Sequence, residues 1–158
     1  MQFLVILVLV VQLGFSSQKD DQWPFEGQLG QKTYLTSSYA ESRGSRYHTG
    51  WDYSTLNQEG IEIKAPEDGT IIRIKVSPWG YGKAIYFKGS SGKIYVLAHL
   101  SGFVRGNQVL KELQRQKTNT LDWKGLNWRF KKGQAIAYTG ASGIGSPHLH
   151  LEVRPSIS

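Results

Sequence analysis

The chain contains no cysteine. A disulfide framework is therefore excluded, as is lipid attachment through a cysteine, and any bound metal must be held by His, Asp or Glu. Nitrogen and carboxylate ligands without thiolates are more typical of catalytic than of structural zinc. Internal repeats and low-complexity tracts are missing too. Only one long apolar run occurs, residues 3–15, broken by Gln12. It falls short of the about 20 apolar residues that a membrane-spanning helix needs. Small residues follow it, so residues 1–16 read as a secretory signal peptide with Gly14 and Ser16 ahead of the cut, although no Lys or Arg precedes the run. The leader predicts an exported protein, periplasmic or extracellular.

Acidic residues are scarce: 12 Asp and Glu face 19 Lys and Arg, for a net charge of +7. Residues 101–132 carry eight basic side chains, from Arg105 to Lys132, against Glu112 and Asp122, which concentrates +6 of that charge in one segment. Such a segment suits an anionic partner, such as a cell-wall polymer, a membrane surface or nucleic acid; a solvated face accounts for it equally well. No compact aromatic and basic recognition motif is present, and the leader also weighs against nucleic acid.

What is present, in 158 residues, is enough for one domain with a sizeable core. Residues 17–31 are polar and turn-rich and read as a surface segment. From residue 32 to 158 the pattern is short β-type runs between turn signals: TYLTSSY, GWDYS, IEIKAP, GTIIRIKV, KAIYFKG, KIYVLAHL, QAIAYTG and HLHLEVR. This predicts a mostly β domain, an antiparallel sheet or sandwich. APEDGT and KGSSGK supply turns, the latter with two glycines placed for positive φ. Residues 101–130 break the pattern and read as a basic insertion leaving the β core. Within it NQVLKELQRQK (107–117) places Val109, Leu110 and Leu113 at helical spacing, with Asn107 as N-cap, which predicts a short surface helix.

The chain has four histidines. His148 and His150 alternate in the last strand and so share a face. His48 and Asp52 also share parity, with Gly50 between them allowing close backbone approach. Imidazole and carboxylate are good zinc ligands. Three of them, His48, Asp52 and one of the C-terminal pair, would leave a fourth position for water. Two histidines would then remain, able to serve as base and as oxyanion stabiliser. Taken singly, His99 or the His148 and His150 pair would be an ordinary strand-end or core histidine; the constellation argues otherwise. The glycines of GASGIGSP lack the Lys-Ser/Thr ending of a phosphate cradle and read as a turn delivering the last strand.

HTGWD, AHL and HLH, in this order and at these separations, resemble the M23 family of zinc metallopeptidases, the lysostaphin-type or LytM-type peptidoglycan endopeptidases. TSSYAESRG, APEDGTIIRI, GYGKAIYF and KKGQAIAYTGASGIGSPHLHLE extend the resemblance over residues 33–154. It implies a lysostaphin-like β domain and one zinc per chain held by His48, Asp52 and His150. It implies His99 and His148 as catalytic histidines. It implies hydrolysis of peptide bonds in bacterial peptidoglycan, in cross-links or stem peptides. The insertion at 101–130 is longer than the loop of compact members. Some relatives serve as hydrolase activators, so a non-catalytic wall-binding or activating module is the rival reading. Tyr47, beside His48, is placed for transition-state contact, and Trp51, Trp79, Trp123 and Trp128 could line a polymer groove, though packing is the commoner use of such rings.

Overall fold

The computed structural model describes residues 34–122 and 128–155. The signal peptide expected over residues 1–16, the segment 17–31 and Trp123 lie outside the described residues. Eleven strands and one helix follow in order: β1 (Leu35–Ser37), β2 (Trp51–Ser54), β3 (Glu62–Lys64), β4 (Gly69–Val76), β5 (Lys83–Gly89), β6 (Ile94–Ala98), β7 (Gly102–Phe103), α1 (Gly106–Gln116), β8 (Thr120–Asp122), β9 (Trp128–Phe130), β10 (Ala135–Tyr138) and β11 (His148–Arg154). Every β-type run read from the sequence holds one of these strands. The mostly β, antiparallel architecture follows, with no described helix long and apolar enough to cross a membrane.

The large sheet runs β1-β2-β11-β6-β5-β4-β8, with β9 also on β4, and a smaller sheet runs β3-β10-β7. One apolar core joins them: Ile63 of β3, Ile136 of β10 and Phe103 of β7 pack with Ile74, Ile85, Phe87, Leu97, Leu149 and Leu151 of the large sheet. The period of two then dictates the other face. Leu149 and Leu151 point into the core, so His148, His150 and Glu152 point away from it. Each buried leucine contributes about 1.5–3 kcal/mol, and a one-residue slip of β11 would exchange leucines for histidines, so its register is firmly set. That register puts His150 opposite both Asp52 of β2 and Ala98 of β6.

The helix-containing insertion within 101–130 is present, and its described strands join the sheets. β7 pairs with β10, while β8 and β9 pair with β4. Phe103, Val109, Leu113, Leu121 and Phe130 all belong to the main core. The predicted surface helix is there, but it buries Val109 and Leu113 and leaves Leu110 exposed. Its N-cap is Arg105 rather than Asn107, with no side-chain cap. The Arg105 guanidinium lies 5.2 Å over the Trp128 ring and 5.7 Å over that of Phe130, which ties the helix start to β9.

The KGSSGK hairpin also differs from expectation. Only Gly92 has positive φ. Gly89 is needed because a Cβ there would collide with the Glu67 carboxylate. Glu67 occupies that space to accept hydrogen bonds from Ser91 N (2.8 Å), Ser91 Oγ (2.6 Å), Ser90 Oγ (2.9 Å) and Tyr95 Oη (2.9 Å), clamping one turn onto another.

Candidate metal centre and active-site cleft

Asp52 on β2 and His150 on β11 are cross-strand neighbours, and His48 arrives from the turn before β2. Gly50 makes this convergence possible: a Cβ there would strike the Leu151 carbonyl oxygen, so only glycine lets the chain pass against β11. His48, Asp52 and His150 are all buried. His48 Nε2 lies 2.9 Å from His150 Nδ1 and 3.1 Å from Asp52 Oδ1, and His150 Nδ1 lies 2.8 Å from the same oxygen. Ligands bound tetrahedrally at about 2.0–2.1 Å sit about 3.3–3.4 Å apart, so this triangle is of metal-binding size, slightly contracted.

The outer partners of the rings decide which atoms face inward. His48 Nδ1 donates to the Ser38 carbonyl at 2.8 Å, leaving a lone pair on Nε2. His150 Nε2 donates to Glu152 Oε1 at 3.0 Å, leaving a lone pair on Nδ1. With both rings neutral, three electron-rich atoms would therefore converge, an arrangement that a metal cation or a proton relieves. His48, Asp52 and His150 could together hold a metal ion.

Electrostatics point the same way. Burial raises the Asp52 pKa, but the hydrogen bonds from His150 and from Arg43 Nη2, the latter at 2.7 Å, outweigh it and hold the carboxyl well below the usual carboxylate range. Burial lowers the His150 pKa, yet the carboxylates of Asp52 and Glu152 bring it above the ordinary histidine value, so without a metal a proton takes the cation's place.

Sequence reasoning missed Glu152. It is buried, yet bonds to His150, Thr49 and Arg154 hold its pKa down to about 2 against that burial. Its Oε1 accepts from Thr49 Oγ1 at 2.6 Å and from the Tyr81 hydroxyl, and its Oε2 accepts from Arg154 Nε at 2.6 Å. The signal that could have found it is parity: Glu152 continues the alternation of His148 and His150. Arg43, nine residues ahead of Asp52, carried no comparable signal.

His99 and His148 stand beside the triangle, ring centroids 4.3 Å apart, and the His99 ring is 5.9 Å from that of His150. His99 closes β6 in a left-handed conformation, φ 60°. Its Nδ1 donates to the Ser142 carbonyl at 2.9 Å, and burial pushes its pKa down to about 4. His148 Nδ1 donates to the Ser146 carbonyl at 2.7 Å, and its Nε2 lies 3.8 Å from Asp52 Oδ1. Both therefore present Nε2 to the site. Ser142 locks this wall in place: its Oγ accepts from Lys83 N at 2.9 Å and donates to the Leu100 carbonyl at 2.7 Å.

Two hollows flank the triangle and share Arg43, Asp52 and His148. One, of about 470 Å³, reaches toward Tyr47 and Trp79; the other, of about 720 Å³, reaches toward Tyr34 and Asn57. Tyr47 is 71 % exposed at the rim of the first. Trp51 packs near Tyr39, ring centroids 6.1 Å apart, and is absent from both linings; Trp128 packs against the core.

No family model matches the chain. Over 112 residues, 69 % of its length, it is 30 % identical to the DD-carboxypeptidase/endopeptidase Mpg of Neisseria meningitidis, of which it spans only 20 %. Its fold matches the catalytic domain of the antimicrobial peptidase lysostaphin from Staphylococcus simulans (TM-score 0.61, 22 % identity, 80 % of this chain and 84 % of that one). It likewise matches the catalytic domain of the prophage-encoded M23 protein EnpA from Enterococcus faecalis (TM-score 0.59, 23 % identity, 79 % and 82 %). With the HTGWD, AHL and HLH motifs gathered at one buried site, the chain has the fold of the lysostaphin-type M23 peptidases and resembles a peptidase in sequence.

Proposed function

We propose that the chain is a zinc-dependent endopeptidase that hydrolyses peptide bonds of bacterial peptidoglycan, exported to act at the cell wall. The observation that carries this reading is the inward convergence of His48 Nε2, Asp52 Oδ1 and His150 Nδ1 beside two further histidines, in a groove that continues on both sides. An internal peptide bond needs room for chain on either side of it. In this reading His48, Asp52 and His150 hold one zinc, which supplies acidification of a water and polarisation of the scissile carbonyl.

The remaining steps belong to the side chains. His148, its Nδ1 hydrogen engaged by Ser146, offers Nε2 as the general base and later returns the proton to the leaving amine. His99, its Nδ1 hydrogen engaged by Ser142, can stabilise an oxyanion only as an Nε2 donor. That role requires a proton on the His99 ring during the reaction, against the burial that keeps the resting ring neutral. Arg43 and Glu152 orient Asp52 and His150 from outside.

The rival, a non-catalytic wall-binding or activating module, predicts a spoiled or covered site. Yet no residue of 101–130 is among the described residues lining either hollow. Elemental analysis after zinc incubation, followed by mass spectrometry of a cell-wall digest, tests the reading. One zinc per chain and newly released peptide termini are expected. A chain that stays metal-free, or walls left intact by a zinc-loaded chain, would overturn it.

A further inference from the structure

The two hollows differ in charge. On the Trp79 side the lining includes the exposed cations Arg46 and Lys75, and its only carboxylate is Asp52, already committed to His48, His150 and Arg43. On the Tyr34 side the polar lining is mostly hydroxyl and amide beside Leu56 and Pro147, with one further acid, Glu41, and one cation, Arg43, whose Nη2 is taken by Asp52 Oδ2 at 2.7 Å. The cationic side also carries the more exposed aromatic surface: Trp79 is 74 % exposed and Tyr47 71 %, with Ile144 at 54 %, against Tyr34 at 56 % and Leu56 at 38 % on the other side. Lys75 is held on β4, opposite Ala84 of β5, so its charge is delivered by the sheet and not by a loose loop.

We propose that the Trp79 side is a subsite for an anionic peptide arm. A substrate carboxylate is read by Arg46 and Lys75 while the backbone or sugar beside it lies on Trp79, and the arm on the Tyr34 side is neutral. The proposal rests on the peptidase reading and adds the substrate's charge and polarity across the scissile bond. Charge complementarity carries it: two unengaged cations in a cleft attract a carboxylate strongly enough to orient a chain that the reactive centre alone would accept in either direction. The apolar rim adds area without selecting charge.

The test uses the zinc-loaded chain and soluble, fluorescently labelled cross-linked wall fragments in two forms, native and with their carboxylates converted to carboxamides by carbodiimide and ammonia. Binding is read by anisotropy and cleavage separately by chromatography, so the two readings fail separately. The native fragment should bind about threefold to tenfold more tightly than the amidated one, as two exposed ion pairs allow. Arg46→Gln with Lys75→Gln should abolish that preference. Lys111→Gln with Lys117→Gln, which removes equal charge from α1 and its C-cap, outside the lining of either hollow, should retain it. Equal binding of the two fragments by the wild type, or a preference surviving Arg46→Gln with Lys75→Gln, overturns the subsite. A binding preference without cleavage upholds the subsite and sinks the peptidase reading instead.

Discussion

Glu152 Oε1 lies 3.0 Å from His150 Nε2, on the opposite side of the ring from the nitrogen that faces Asp52. A buried carboxylate thus fixes which imidazole nitrogen is free for metal. Glu152→Gln keeps an acceptor oxygen but removes the charge, and should weaken zinc binding by about 10- to 100-fold. Competition with a chromophoric chelator measures it, with circular dichroism confirming that the fold persists. Unchanged affinity would show that Glu152 serves packing alone.

The two histidines of HLH should fail differently. His150→Ala should lose zinc and activity together, and some thermal stability with them, because bound metal stabilises the fold by mass action. His148→Ala should keep its zinc and lose about 10²- to 10⁴-fold in wall hydrolysis, the range of a general base. Equal metal loss in both variants, or a fully active His148→Ala, would show the roles to be misassigned.

Glu67 should make stability depend on pH through structure far from chemistry. Burial is the largest single influence on its carboxyl and would raise its pKa, but the four hydrogen bonds from Ser91, Ser90 and Tyr95 together outweigh it and draw it from 4.5 to about 2. A depressed carboxyl stabilises the fold fully above its unfolded pKa and loses that contribution as pH falls toward its folded one. Glu67→Gln should therefore melt below the wild type at pH 7, and the gap should narrow once the pH drops under 4.5. A gap that stays constant from pH 7 to pH 3 would assign the loss to packing.

The basic segment is proposed to hold the wall through an anionic polymer, and not all of its charge is available for that. Arg115 is paired with Glu112, and Lys131 with Asp68 at 2.7 Å. Lys111→Gln with Lys117→Gln should weaken binding to intact walls and flatten its salt dependence while leaving turnover on soluble fragments unchanged. Wall binding that is unaltered at low salt would reduce the segment to a solvated face.

The strands that the sequence announced lie in β-type runs bounded by turn signals. β7, β8 and β9 are two or three residues each and sit among charges, so Phe103, Leu121 and Phe130 gave no period from which to read them. The same limit hid how Asp52 is held: the Arg43 contact depends on a turn whose geometry is tertiary. The gathering of His48, Asp52 and His150 was foreshadowed because two of them lie on strands whose parity is visible in the chain. What parity could not supply was the identity of the outer partners, since Ser38 acts through its backbone carbonyl, which every residue possesses.

Ser142 joins three segments: its Oγ bridges Lys83 N and the Leu100 carbonyl, and its own carbonyl receives His99. The start of β5, the residues just after β6 and the loop ahead of β11 are thereby riveted at one point. The wall carrying His99 is consequently held at one residue where three independent loops would each need their own anchor. It should breathe as one leaf, and an inhibitor that wedges any of the three segments apart would unseat His99 without touching it.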